Sequence, residues 1–265
     1  MKSPLILLLL TMSFIAFSQE SSKEIYQNRI SDLTNKIAQE PSNLALYYAR
    51  ADVYDVLDKF EQSNLDYLKV VELYRKNPDA SRTGEFTKSC YRLADEYFFR
   101  QANTEKAKRY VEQGLNVSPD FKDLVVLDAV ITGLDGSNRD HATTKYVFAS
   151  TKYPDDTRLN LYYGKFLQAS NPLEAAARYQ KALNADPLNR EALLAIGTIY
   201  NNEATLLSGQ GKEPDLVFEY AKKASVYFER LYKMNPENKE VVNILLQLYT
   251  ELDQQEKADL LKKPY

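Results

Sequence analysis

The sequence predicts an all-α protein built as a run of antiparallel helix pairs. Three observations predict it. Beyond residue 19, apolar residues recur at i, i+3, i+4 and i+7 with polar runs between them, the period of a helix with one buried stripe. No segment sustains the strict alternation of a half-buried strand. Six prolines (Pro41, Pro78, Pro119, Pro154, Pro187 and Pro236) each follow an apolar helix end and precede a new helix, as stop signals do.

Counting from these prolines exposes a repeat. Ten residues after five of them stands a predicted helix-crossing residue: Ala51, Ala129, Gly164, Gly197 and Leu246. After Pro78 the equivalent residue is Ala94, delayed by six. Twelve residues before four of the prolines lies an alanine: Ala107, Ala142, Ala175 or Ala224. Small residues at paired positions let two helix axes approach until their ridges interdigitate. Four residues after each alanine comes a larger side chain to fill the next groove: Val111, Tyr146, Tyr179 or Phe228. The first unit follows the same grammar with Ala51, Tyr54, Ser63, Tyr67 and Val70.

This pattern resembles the tetratricopeptide repeat. The fourth unit matches best, with Leu161-Tyr162-Tyr163-Gly164, Ala175, Tyr179, Ala182 and Asp186-Pro187. Five units run in phase, and the likeness covers about residues 41 to 262. The resemblance implies a right-handed superhelical solenoid whose first helices form a concave binding face. Two departures stand out. Several units carry aliphatic residues where the family has an aromatic, and the prolines are 37, 41, 35, 33 and 49 residues apart.

In order, a lead-in helix within 19–40 covers the first repeat, and the repeat array occupies 41–265 as about six helix pairs. The pairs fall at 43–57 with 60–76, 83–101 with 104–117, 120–134 with 139–152, 155–169 with 172–184, 189–208 with 214–234, and 238–251 with 254–262. The fifth is lengthened by an insertion near 201–214, read as two projecting helices joined by Ser208 to Pro214. That extension is either plain lengthening or a docking element. The closing pair turns Gln254, Gln255, Glu256, Asp259 and Lys262 outward, as a solubilising end does.

Ahead of the array, Lys2 and the apolar run from Leu5 to Phe17 read as a signal peptide over residues 1–18, cleaved after Ser18. At 13 residues the run is short for a membrane span. The expected location is therefore periplasmic or secreted, with no integral membrane segment after cleavage. No cysteine follows the run, so no lipid anchor is expected. The chain has 34 basic and 37 acidic residues, a balance that argues against nucleic acid as the main ligand. The single cysteine, Cys90, can form no internal disulfide and reads as a buried apolar residue.

Little in the sequence supports catalysis. His141 is the only histidine, so neither a zinc site nor a nucleophile–histidine pair can be assembled. No cofactor or metal is expected. Gly209-Gln210-Gly211 lacks the strand and further glycines of a phosphate loop, and Asp123, Asp128, Asp135 and Asp140 lack calcium-loop spacing.

The family's geometry implies a protein or peptide partner held on the concave face. Its candidate residues are Tyr48, Asp52 and Asp55, then Tyr91, Asp95 and Phe98, then Arg158, Tyr162 and Lys165, followed by Asn201 and Asn202, and finally Asn243. Lysine and asparagine of the family's carboxylate clamp are replaced here by Tyr48 and Asp52. An acidic first half predicts a basic or aromatic partner. Glycan stacking on tyrosines, or service as an accessory subunit of an envelope enzyme complex, are the alternatives.

Overall fold

The computed structural model describes residues 23–262, so the expected signal peptide lies outside the described residues. Those residues form α-helices and connecting turns, with no strand among them. A first helix, α1, covers 23–39 and buries Leu33 and Ile37. The pairs follow as α2 (Leu44–Val56) with α3 (Phe60–Lys76), α4 (Thr83–Phe99) with α5 (Thr104–Val117), and α6 (Lys122–Asp135) with α7 (Arg139–Lys152). Next come α8 (Thr157–Leu167) with α9 (Pro172–Ala185), α10 (Arg190–Gly209) with α11 (Pro214–Met234), and α12 (Lys239–Glu251) with α13 (Gln255–Leu261). The contacts divide the chain into two compact units, one ending at Asp128 and one starting at Ala129.

What sets the helix starts is asparagine more than proline. Asn43, Asn103, Asn138, Asn171, Asn189 and Asn238 are N-caps whose side chains each accept a backbone N–H from the first turn. Asp156 does the same for α8. Pro172 and Pro214 occupy the first positions of α9 and α11, where a missing N–H costs nothing.

Five of the six first helices reach their predicted crossing residue seven positions after they begin, as in Leu44 to Ala51 and Thr157 to Gly164. The second unit differs for a visible reason. A 3-10 turn, Ala80–Arg82, delays the start of α4 by two residues, and Ala94 then lies eleven positions into the helix. Two residues of turn plus one extra helical turn of four account for the delay of six. In α12 the predicted register is off by one: Leu245 is fully buried and Leu246 only partly so. The inward face of α12 is set by Val241, Leu245 and Leu248, and Leu246 lies beside it.

In the pairs α8 with α9 and α10 with α11 the crossing is an aromatic ring laid on glycine. A methyl group at Gly164 would lie 2.9 Å from the Tyr179 ring, and one at Gly197 would lie 2.9 Å from the Phe228 ring. Both rings are buried, and Tyr179 Oη also donates to Gln168 Oε1 at 3.0 Å. The lengthened pair has helices of 20 and 21 residues, against 11 and 14 in the pair before it. Ala204 and Ala221 are buried within it, so its apolar stripes close on each other, while Leu206 and Phe218 stay exposed. The closing helix α13 is not uniformly polar outside, because Leu260 is exposed beside Gln255, Glu256 and Asp259.

In the first unit, Arg50 of α2 binds Asp66 of α3 through two 2.7 Å hydrogen bonds and donates a third to Thr34 of α1 at 2.9 Å. A bidentate pair fixes orientation as well as energy. It therefore ties the lead-in helix to the first pair.

Gly164→Ala is expected to lose about 1–2 kcal/mol in urea unfolding, overpacking against Tyr179 outweighing the helix propensity gained. Gly209→Ala, with open space around it, should be neutral or slightly stabilising in the same assay. Cys90 is fully buried and its thiol is pushed up to about 12 by that burial. The native protein should leave an aromatic disulfide reagent unreacted at mildly alkaline pH and release one equivalent of thiolate only when unfolded.

Candidate partner-binding groove

Residues 48, 52 and 55 are spaced by four and three, which places them on one face of α2. On α4 the same periodicity groups Lys88, Tyr91, Arg92 and Asp95. The two faces meet in a groove of about 680 Å³, completed by Val56, Phe60 and Asp123 from the first turn of α6. Of the predicted residues it brings together Tyr48, Asp52, Asp55 and Tyr91. Asp95 lines a smaller cleft of about 60 Å³ that shares Asp55, Phe60 and Arg92 with the groove. Phe98 does not line the groove; it packs edge-on against Phe99, with ring centroids 4.9 Å apart.

Beneath the groove lies Tyr67, contributed by α3 and only 1% exposed. Its hydroxyl oxygen is 3.0 Å from Asp52 Oδ1 and 2.8 Å from Asp55 Oδ2. A phenol has one proton to give, so Tyr67 donates to one carboxylate at a time. Asp55 has a second partner, Arg92, whose Nε is 3.3 Å from Oδ2. Burial works against the Arg92 charge, but Asp55, Tyr67, Tyr91 and Asp52 together outweigh it and hold the guanidinium more firmly protonated than usual. Tyr48 and Tyr67 are both pushed above the ordinary phenol range, first by burial and then by the neighbouring carboxylates.

The acidic groove expected from sequence needs correcting. Lys88 and Arg92 line it alongside Asp52, Asp55 and Asp123, so the charge is mixed, with three carboxylates facing two cations. Sequence reasoning passed over both cations, although Lys88 shares a helical face with Tyr91 and Arg92 adjoins it. Tyr67 was placed in the packing pattern and not beneath a groove.

In the second unit, α8 carries Arg158, Tyr162 and Lys165 at the spacing of one face. Lys165 and Asn202 line a pocket of about 520 Å³ with Gln168, Pro172, Ile199 and Glu203. Lys165 Nζ binds Glu191 at 2.5 Å and lies 5.1 Å from the centre of the Tyr162 ring. Arg158 and Tyr162 are half-buried outside this pocket, and so is Asn201, whose carbonyl accepts from Thr205 Oγ1. Asn243 is exposed on α12 and also stands apart from it.

Among the described residues, no three His, Cys, Asp or Glu side chains are grouped to hold a metal ion. His141 is exposed in the first turn of α7, its backbone N–H bound to the Asn138 cap. No described helix is long and apolar enough to cross a membrane.

Tyr48 and Tyr67 generate a pH dependence of known sign. Their folded pKa values lie above the unfolded value of about 10. The stability they contribute is fully present below pH ~10 and is lost as pH rises from there towards the folded values. Alkaline titration of tyrosinate absorbance should show a late, cooperative fraction that coincides with loss of helical circular dichroism. Tyr67→Phe should shrink that fraction.

No protein-family model matches the chain, and no curated protein matches it in sequence. Similarity appears in three dimensions. YrrB, a TPR protein with an unusual peptide-binding site, superposes with a TM-score of 0.52 at 16% identity, covering 80% of this chain and 96% of YrrB. A tetratricopeptide repeat protein from Parabacteroides merdae gives 0.51 at 16% identity, covering 87% and 80%. Human IFIT1, solved as a dimer with m7Gppp-AAAA, gives 0.50 at 16% identity; this chain spans 54% of that protein and 89% of itself. At such identities the likeness is one of architecture. The fold is that of a tetratricopeptide-repeat protein, an array of antiparallel helix pairs.

Proposed function

We propose that this chain is a non-catalytic scaffold that holds a protein or peptide partner in the groove between α2 and α4. One observation carries the reading: Tyr48, Asp52, Asp55 and Tyr91, from two separate helices, line a single open groove. Tyrosine rings supply large contact areas at low entropic cost, and the carboxylates beside them supply direction. YrrB, which shares the fold, has a peptide-binding site. The IFIT1 structure contains capped RNA, but 34 basic against 37 acidic residues in this chain favour protein over nucleic acid.

The scaffold reading also fits the chemistry of the groove. Asp52 and Asp55 are occupied by Tyr67 and Arg92 and are not poised as an acid–base pair. The apolar run from Leu5 to Phe17, followed by Ala16-Phe17-Ser18, supports export to the periplasm or beyond. Stacking of a sugar on Tyr48 and Tyr91 is the competing reading; binding on a carbohydrate array would favour it.

A suitable variant must leave the buried Tyr67 hydroxyl its acceptors, which rules out Asp52→Ala. Tyr91→Ala combined with Asp123→Ala is expected to reduce recovery of the partner about tenfold or more in pull-downs with the mature protein. A photo-crosslinker at position 88 should capture the same partner. Unchanged recovery by the double variant, with no crosslink, would remove the groove from the function.

A further inference from the structure

Asp52 is half-buried at the floor of the first groove, and its partners there are neutral. Tyr67 lies at 3.0 Å from it, and Tyr48, one helical turn earlier on α2, shares its face of the groove. Among the described residues no lysine or arginine pairs with it, because Arg92 is committed to Asp55. A phenol solvates a carboxylate without cancelling its charge. The residual negative potential is registered in both tyrosines, which the Asp52 charge helps to push upward.

On the same helix this chain displays the filled counterpart. Arg50 sits bidentate on Asp66, with its guanidinium 5.9 Å from the centres of both the Tyr47 and Tyr54 rings. Carboxylate and two tyrosine rings therefore house a cation on one side of α2. The groove repeats the set as Asp52 with Tyr48 and Tyr91; Arg92 lines it too, but its ion pair is with Asp55 and not with Asp52. At the rim, Lys88 and Asp123 are exposed and carry opposite charges, so together they add no net charge to the groove, and Asp52 has no ion pair among the described residues.

We propose that the groove captures an arginine or lysine side chain of an extended partner segment, with the charge on Asp52 and the alkyl stem against Tyr48 and Tyr91. The inference rests on the partner-binding reading of this groove and names its chemistry. A hydrogen bond to a charged group in such a partly desolvated place discriminates strongly against a neutral isostere. Cation–π contact with the rings adds to this.

The test uses three libraries of short extended peptides with randomised flanks and a fixed central residue: arginine, its neutral isostere citrulline, or glutamate. Binding to the mature protein is followed by fluorescence anisotropy. The arginine library should bind about tenfold more tightly than the citrulline library. Asp52→Asn, which keeps an acceptor for Tyr67, should bring that ratio close to one. Lys88→Gln, at an exposed and unpaired position, should raise the ratio, and serves as the second variant if Asp52→Asn fails to fold. Equal binding by the arginine and citrulline libraries, or preference for glutamate, overturns the inference while leaving a peptide groove in place. Retained arginine preference in Asp52→Asn also overturns it. If no library binds, both the inference and the peptide-groove reading fall.

Discussion

The structure depends on how closely two helix axes can approach. Each pair must bury a stripe of side chains with no sheet and no disulfide to help it, so interdigitation has to be tight. Small residues provide that approach, and a bulky partner then seals it: Tyr179 over Gly164 and Phe228 over Gly197. Packing against a small residue is sensitive to single methyl groups, which is the usual behaviour of dense protein interiors. It also fixes the rotation of each helix about its own axis. Once Ala51 and Ala94 are buried, the residues on the other faces of α2 and α4 have no freedom over where they point.

That rotation builds the groove. Tyr48, Asp52 and Asp55 share a face of α2 because Ala51 and Val53 are turned into the core, and Tyr91 shares a face with Lys88 because Cys90 and Leu93 are buried. Tyr67 links the two roles, since its ring fills the core beneath α2 while its hydroxyl meets the carboxylates of the groove. Burying the ring and the hydroxyl together is favourable only because the oxygen finds acceptors. Fold stability and groove electrostatics are therefore written in the same side chain.

Much of the architecture was legible in the sequence because it is periodic. The helix spans follow from spacing, and the helices of the structure begin and end within a few residues of them. The misses have local causes. Leu246, the one predicted crossing residue that is not small, misses by one, and Leu245, equal in size, is the buried residue. The caps were overlooked because proline is the more conspicuous punctuation, although Asn43, Asn103, Asn138, Asn171, Asn189 and Asn238 accept the first-turn N–H groups. Groove composition was read from one helix face at a time. Opposite charges from Lys88 and Arg92 come from the facing helix, and Phe98 turned to its neighbour Phe99, which spacing alone could not decide. The residues grouped from α8 onward were a looser set, and only Lys165 and Asn202 line a common pocket.

The asparagine caps also bear on how fast the chain can find its fold. Each reversal is set by residues within one turn of it, and the contacts that close a pair are near in sequence, with Gly164 only 15 residues from Tyr179. Folding rates rise as such separations shrink. The lengthened pair is the exception, since Gly197 must find Phe228 across 31 residues. Doubling a loop adds about 0.6 kcal/mol of closure entropy. The extension thus makes α10 and α11 the slowest of these local closures, a kinetic asymmetry written into an otherwise even succession of repeats.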